Sequence, residues 1–260
     1  TGMRMNRADF ARAVTEMQEQ HQPVPQGIPS NPVYLPSPGD VLSAFVHAFT
    51  SSAPVGAEHS ITQAFAHSIR IIFWGFVISS VMGVPLGIMC GSIPAVARLV
   101  EPSVDFFRYL PAPAFGALAV AILGIYDAPK IAIIVIGTLF QQILVIANTT
   151  RKLDFSLVEA SRTLGAKGLR LLFRVLIPGI LPDLYRDQRI LLGWAWTYLI
   201  VAELIGTSSG ITWFITQQAR YQHFDNVFAA MALIGIVGLG TDMVLGVVGR
   251  KLFTWKRENG

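Results

Sequence analysis

From residue 61 onward the chain alternates long apolar runs with short polar segments. Crossing a bilayer takes about 20 mostly apolar residues in one helix, because only a helix satisfies its own backbone in hydrocarbon. Residues 71–92, 131–150, 190–206 and 227–249 fit this demand, and their apolar positions lie on every face rather than along one stripe. Residues 109–126 are as apolar but carry Pro111 and Pro113 near their start, which predicts a fifth span with an irregular beginning. The pattern predicts an all-α polytopic membrane protein with five transmembrane helices. Composition agrees: 52% of the 260 residues are hydrophobic and 14% are charged, whereas a soluble domain devotes about a quarter to charge.

Residues 1–60 are polar and proline-rich. They predict an extracytoplasmic segment with one short helix over "VLSAFVHAF", capped near Ser37 or Asp40. Residues 61–70 prolong the first span outward, residues 61–250 form the transmembrane domain, and residues 251–260 form a cytoplasmic tail. Gly83, Gly87 and Gly91 recur at intervals of four in the first span. Such a stripe serves close helix or dimer packing, or is simply tolerated in a membrane helix. The last span repeats the feature with Gly235, Gly238 and Gly240.

Charge assigns the sides. Eight Lys and Arg lie in residues 151–189, two in 91–108 and four after Gly249, against one each in 127–130 and 207–226. Positive residues collect on the cytoplasmic side, so the central loop and the C-terminus are expected inside. The net charge of +4 is therefore topological and does not point to nucleic acid. Five spans and a cytoplasmic C-terminus put the N-terminus outside, and a sixth, N-terminal span is expected to be missing. Cys90 is the only cysteine, and His21, His47, His59, His67 and His223 show no ligand spacing, so no metal site is expected.

The central loop, "EASRTLGAKGLRLLFRVLIP", reads as two helices around a glycine. Ser156 and Glu159 form an S-x-x-E capping box, predicting a helix from Leu157, and Gly165 is placed to end it in a left-handed conformation. A second helix is predicted over residues 167–176 and stopped by Pro178. It sets Leu169, Leu172, Phe173 and Leu176 on one face, opposite Lys167, Arg170 and Arg174. Physics alone allows a basic amphipathic helix lying on an anionic membrane surface.

The exact residues resemble the EAA loop of ABC-importer permeases, E-A-A, three residues, G, nine residues, I-x-L-P. Here Glu159, Ala160 and Ser161 are followed by Gly165, then Val175, Ile177 and Pro178. Ser161, Val175 and Ile177 are mild departures. "LPSPGDVLSAF", "HSIRIIFWGFVISSVMGVPLGIMCG", "RYLPAPAFGALAV" and "GWAWTYLIVAELIGTSSGITWFI" resemble the nitrate, sulfonate, taurine and bicarbonate subgroup. That subgroup usually has one more span just before the "LPSP" element. The resemblance implies a type I ABC-importer permease of the bacterial cytoplasmic (inner) membrane, working as a homodimer. It implies a cytoplasmic coupling loop over residues 151–189, in which Glu159, Ala160, Ser161, Gly165, Lys167, Arg170, Val175, Ile177 and Pro178 dock on an ABC ATPase. It also implies an extracytoplasmic solute-binding protein and a small anionic solute.

No G-x-x-x-x-G-K-[ST] occurs, so ATP and Mg belong to a partner ATPase, and this chain is expected to be no enzyme and to bind no cofactor. Polar groups at membrane depth are functional candidates. Gln141 and Glu203 are the expected path residues, with Gln142 beside the first. Asp242 reads as capped by a neighbouring helix, Arg108 as a topology marker, and Trp194 and Trp196 as packing or interface residues. Two rivals remain at this level. An ion-gradient-driven secondary transporter should show inverted repeats and paired membrane charges. A non-transporting scaffold would use the basic loop to recruit lipid or protein.

Overall fold

Helix α1, Pro38–Thr50, opens on a reciprocal cap. The Asp40 N–H donates to Ser37 Oγ at 3.2 Å and the Ser37 N–H to the Asp40 carboxylate at 3.3 Å, satisfying donors that a helix start leaves free. The computed structural model describes residues 35–50, 60–205 and 209–255, with the isolated Thr15 and Met17. The expectations for residues 1–34 and for a further N-terminal span lie outside the described residues. The chain divides into two compact units, Thr1–Ile61 with Phe214–Leu233, and Thr62–Trp213 with Ile234–Gly260.

The remaining elements are α2 Ile61–Ser92, α3 Pro94–Arg108, a 3-10 turn Ala112–Phe115, α4 Gly116–Leu123, α5 Asp127–Arg151, α6 Phe155–Thr163 and α7 Gly168–Leu171. A wide π-type turn, Leu172–Leu176, leads into α8 Ile177–Leu204, followed by α9 Ile211–Arg220 and α10 Phe224–Leu252. The described residues contain no strand. Helices α2, α5 and α10 are long and apolar enough to cross a membrane. Helix α8 is long enough, at 28 residues, but its first half carries Asp183, Arg186, Asp187 and Arg189.

Residues 109–126 do not make one long helix. The prolines at 111 and 113 withhold backbone donors, so the chain takes the short 3-10 turn before α4, which has eight residues. Eight residues rise about 12 Å, too little to span alone. Helices α3 and α4 form a pair bent by 86°.

In the second unit α5 is the hub, and α2 lies along it in parallel. A Cβ added at Gly75, Gly83, Gly87 or Gly91 would come closer than 3.0 Å to Ile134, Gln142, Ile146 or Thr150 respectively. Ser79, fully buried, fills the missing step, so five small residues at four-residue spacing let the backbones touch. Helix α3 packs on the same hub through Val96, Val100 and Val104, against Ile143 and Ala147. Helix α8 does so through Gly137, where a Cβ would meet the Tyr198 ring at 2.7 Å.

Candidate functional site

The loop between α5 and α8 is an excursion clamped at its base. Leu153 sits against Gly179, where a Cβ would lie 2.8 Å from its Cδ1. Leu153, Leu172, Leu176 and Ile177 all pack on the cluster of Ile88, Ile146 and Ile180. The small residue at 179 thus lets the two ends of the loop close on each other.

Helix α6 begins at Phe155, two residues before the predicted Leu157, and its N-cap is Asp154 rather than Ser156. The Asp154 carboxylate accepts the Ser156 N–H at 2.9 Å, a charge-assisted bond that a hydroxyl cap cannot match. Hydrogen bonding from Ser156, side chain and backbone, holds the Asp154 carboxyl below the usual carboxylate range. At the other end Gly165 has φ +87°. The Gly165 N–H donates to the Arg162 carbonyl and the Ala166 N–H to that of Ser161, both at 2.9 Å, which is the Schellman closure. Gly168, with φ +54°, makes a second left-handed step into α7. The sequence reading missed this second hinge.

The second helix does not stop at Pro178. The Ile177 N–H donates to the Leu172 carbonyl five residues back, and the chain continues into α8. Pro178 has no N–H to give and its ring crowds the preceding turn, a strain that a widened turn absorbs. Of the predicted apolar face, Leu172 and Leu176 are packed inward while Leu169 and Phe173 stay exposed. Phe155, Leu157 and Leu164 (88% exposed) add further exposed apolar surface to this loop, which also carries the exposed Arg162, Lys167, Arg170 and Arg174. Glu159 and Ala160 are exposed on α6, and Ser161 is half-buried with its hydroxyl bonded to the Leu157 carbonyl. Val175 and Ile177 are half-buried, whereas Pro178 is exposed.

The polar groups at membrane depth fall into three sets. Gln142 is fully buried: its Oε1 accepts from Ser79 Oγ at 2.7 Å, and its Nε2 donates to Ser80 Oγ at 3.0 Å and Gln188 Oε1 at 3.2 Å. This joins α2, α5 and α8, whereas Gln141 is only half-buried. The Glu203 side chain is fully buried, accepting from Ser68 Oγ and from the Thr212 N–H at 2.8 Å. The carboxylate occupies the space that only a glycine at 210, with φ +104°, leaves open. Beside it Lys130, also buried, donates to Ser209 Oγ at 2.6 Å. Glu203 thereby pins the start of α9 to α2.

The third set is an ion pair that the sequence reading did not see. Asp242 on α10 receives both Arg189 Nη2, at 2.8 and 2.9 Å, and Arg189 Nε, at 3.1 Å. Arg189 closes the segment expected to be the cytoplasmic loop, and its neighbour Gln188 lies level with Gln142, nine residues and thus about 13 Å before the end of α5. Arg108 is exposed and bonded to Asp105 at 2.8 Å, Trp196 stacks on Phe65, and Trp194 is half exposed. Among the described residues no group of three His, Cys, Asp or Glu side chains is gathered as a metal would need.

Residues 83–253 match the model of the family described as "Binding-protein-dependent transport system inner membrane component". The chain is 34% identical over 226 residues to a "Probable ABC transporter permease protein" of Brucella abortus (strain 2308), covering 87% of this chain and 88% of that protein. It is 28% identical to the taurine transport system permease protein of Escherichia coli (strain K12), covering 88% and 82%. Among solved structures, the inward-facing methionine ABC transporter MetNI shares the fold with a TM-score of 0.64 at 21% identity, covering 72% of this chain and 93% of that one. An importer permease, rather than an ion-gradient-driven transporter, is what these similarities support. The chain belongs to the binding-protein-dependent transport system inner membrane components, the membrane-spanning permeases of ABC transporters.

Proposed function

We propose that this chain is the permease half of an ATP-driven importer for a small oxyanion, coupled to its ATPase through residues 154–176. The observation that carries this reading is the clamped loop. Its exposed apolar surface, set by Gly165 and Gly168 and accompanied by cations, is the kind of patch a soluble partner covers. Leu153, Leu172 and Leu176 root the same loop in the core of α2, α5 and α8, so a displacement of the loop is delivered directly to the spans. Glu159, Ala160, Ser161, Gly165, Lys167 and Arg170 lie on the docking side, while Ile177 packs with the root and Val175 and Pro178 flank it where the loop enters α8.

Two such chains related by two-fold symmetry, two cytoplasmic ABC ATPases carrying ATP and Mg, and an extracytoplasmic solute-binding protein complete the machine. Closure of the ATPases brings the two loops together and turns the spans from inward- to outward-open. A small oxyanion is supported by relatives named for taurine, aliphatic sulfonates and bicarbonate. The test is reconstitution of the chain with its ATPase and binding protein, with ATP hydrolysis measured against a panel of taurine, an alkyl sulfonate, nitrate and bicarbonate. Stimulation by at least one of these anions and copurification of the ATPase are expected. Absence of ATPase retention would overturn the reading.

A further inference from the structure

Helices α8 and α10 meet in the second unit through long side chains. Tyr185 Oη donates to the Leu245 carbonyl at 2.9 Å, and its ring lies 2.7 Å from where a Gly249 Cβ would stand. One turn on, the Arg189 guanidinium lies over Gly246, 3.1 Å from its Cβ position, and grips Asp242. The helices run antiparallel here, since rising numbers on α8 meet falling numbers on α10.

The next turn is open. Gly193 follows Arg189 by four residues and Gly238 precedes Asp242 by four, so each lies on the same helix face as its charged neighbour, one turn further along. No atom lies within 4 Å of the Cβ position at Gly193, Gly235 or Gly238. The ion pair therefore borders a gap one turn on, where nothing stands at the Cβ positions of Gly193 on α8 and Gly238 on α10.

The ion pair is itself accessible. The Asp242 side chain is 54% and that of Arg189 26% exposed, and charges so placed are held at membrane depth only where they face water or protein. Met243, Val244, Val247 and Val248 carry the bulky apolar face of α10 and suit lipid.

We propose that this gap is an anion subsite of the translocation path, in which Arg189 receives the oxyanion of the solute in place of Asp242. The inference rests on the permease reading and narrows it to one residue. A guanidinium offers two parallel N–H donors matched to carboxylate, bicarbonate or sulfonate oxygens. Asp242 neutralises that cation while the subsite is empty and yields it to an incoming oxyanion. Glycine at 193 and 238 leaves space for the acid group, which a side chain there would occupy.

The probe is a pair of thiol reagents, sulfonatoethyl methanethiosulfonate and its trimethylammonium analogue, applied to Gly193→Cys in the ATPase-bound complex with Cys90→Ser. The sulfonate reagent is expected to react faster. Arg189→Gln should lower the sulfonate-to-ammonium rate ratio by roughly tenfold, and Asp242→Asn should raise it. Arg189→Lys should keep most of the preference. Should Arg189→Gln fail to assemble, the neutral pair Arg189→Gln/Asp242→Asn replaces it, with the same lowered ratio expected. Val244→Cys should resist both reagents. Equal inertness of Gly193→Cys and Val244→Cys, or a ratio indifferent to removal of Arg189, would overturn the subsite. Failure of the unsubstituted chain to retain its ATPase would overturn the permease reading instead.

Discussion

Arg151, the last residue of α5, donates to the backbone carbonyl of Cys90 in α2 at 3.3 Å. That carbonyl would ordinarily accept from residue 94, which is Pro94 and has no N–H. The same guanidinium pairs with Glu101 on α3. One side chain thus ties three helices together three residues before the coupling loop begins. Arg151→Met is expected to destabilise the protein by about 1 kcal/mol, since the group is partly exposed. Arg151→Lys should recover only part, because the lysine ammonium sits on a shorter stem than the Nη2 that reaches both acceptors. Thermal unfolding in detergent checks this, and equal stability of all three proteins would refute it.

Close packing of α2 on α5 predicts opposite responses from the glycines of α2 and those of α10. At Gly87 an added Cβ would meet Ile146 at 2.8 Å and the Ile143 carbonyl at 2.9 Å. Gly87→Leu should therefore cost about 1–3 kcal/mol through overpacking. Gly235→Ala has open space and should be neutral, or stabilising by up to about 1 kcal/mol through helix propensity. Unfolding midpoints of the two variants separate a packing stripe from glycines of no structural consequence.

Gly165 distinguishes a docking loop from one that floats on headgroups. No atom lies within 4 Å of its Cβ position, so Gly165→Ala meets no clash and suffers only the left-handed conformation, about 1 kcal/mol. Gly165→Glu adds bulk and negative charge to the loop that carries Arg162 and Lys167. Membrane abundance should be retained in Gly165→Glu while ATPase retention and uptake are lost. Lys167→Gln and Arg170→Gln should reduce uptake less. Normal ATPase retention in Gly165→Glu would remove the loop from the coupling path.

Sidedness follows from the charge asymmetry and is checked with a membrane-impermeant thiol reagent in a Cys90→Ser background. Arg220→Cys should be modified from outside the cell and Arg170→Cys only after permeabilisation. The reverse pattern would invert the topology, and with it the face on which the ATPase docks.

The local signals were legible because each depends on a few neighbouring residues. Runs of about 20 apolar residues announced spans, Gly165 announced a left-handed helix end, and Ser37 with Asp40 announced the start of α1. The fixed spacing from Glu159 to Pro178 announced the family.

Where two local rules competed, the outcome depended on geometry that spacing does not carry. Asp154 displaced Ser156 as the cap because its carboxylate reaches the Ser156 N–H. The π-type turn carried the second loop helix past Pro178, since the apolar side chains of Leu172 and Leu176 were already anchored on the core.

Polar groups at membrane depth were decided by tertiary structure alone. A sequence shows that Gln141, Gln142, Glu203 and Asp242 lie in apolar surroundings, but not which way each points or what it meets. A one-residue step turns a helical side chain by about 100°, enough to separate the half-buried Gln141 from Gln142 in its network with Ser79, Ser80 and Gln188. Glu203 found Ser68 more than a hundred residues away, and Asp242 found Arg189 across two helices. Burying a polar group in hydrocarbon without a partner costs several kcal/mol, so the chain had to supply partners. Which residues serve is fixed by how α2, α5, α8 and α10 pack.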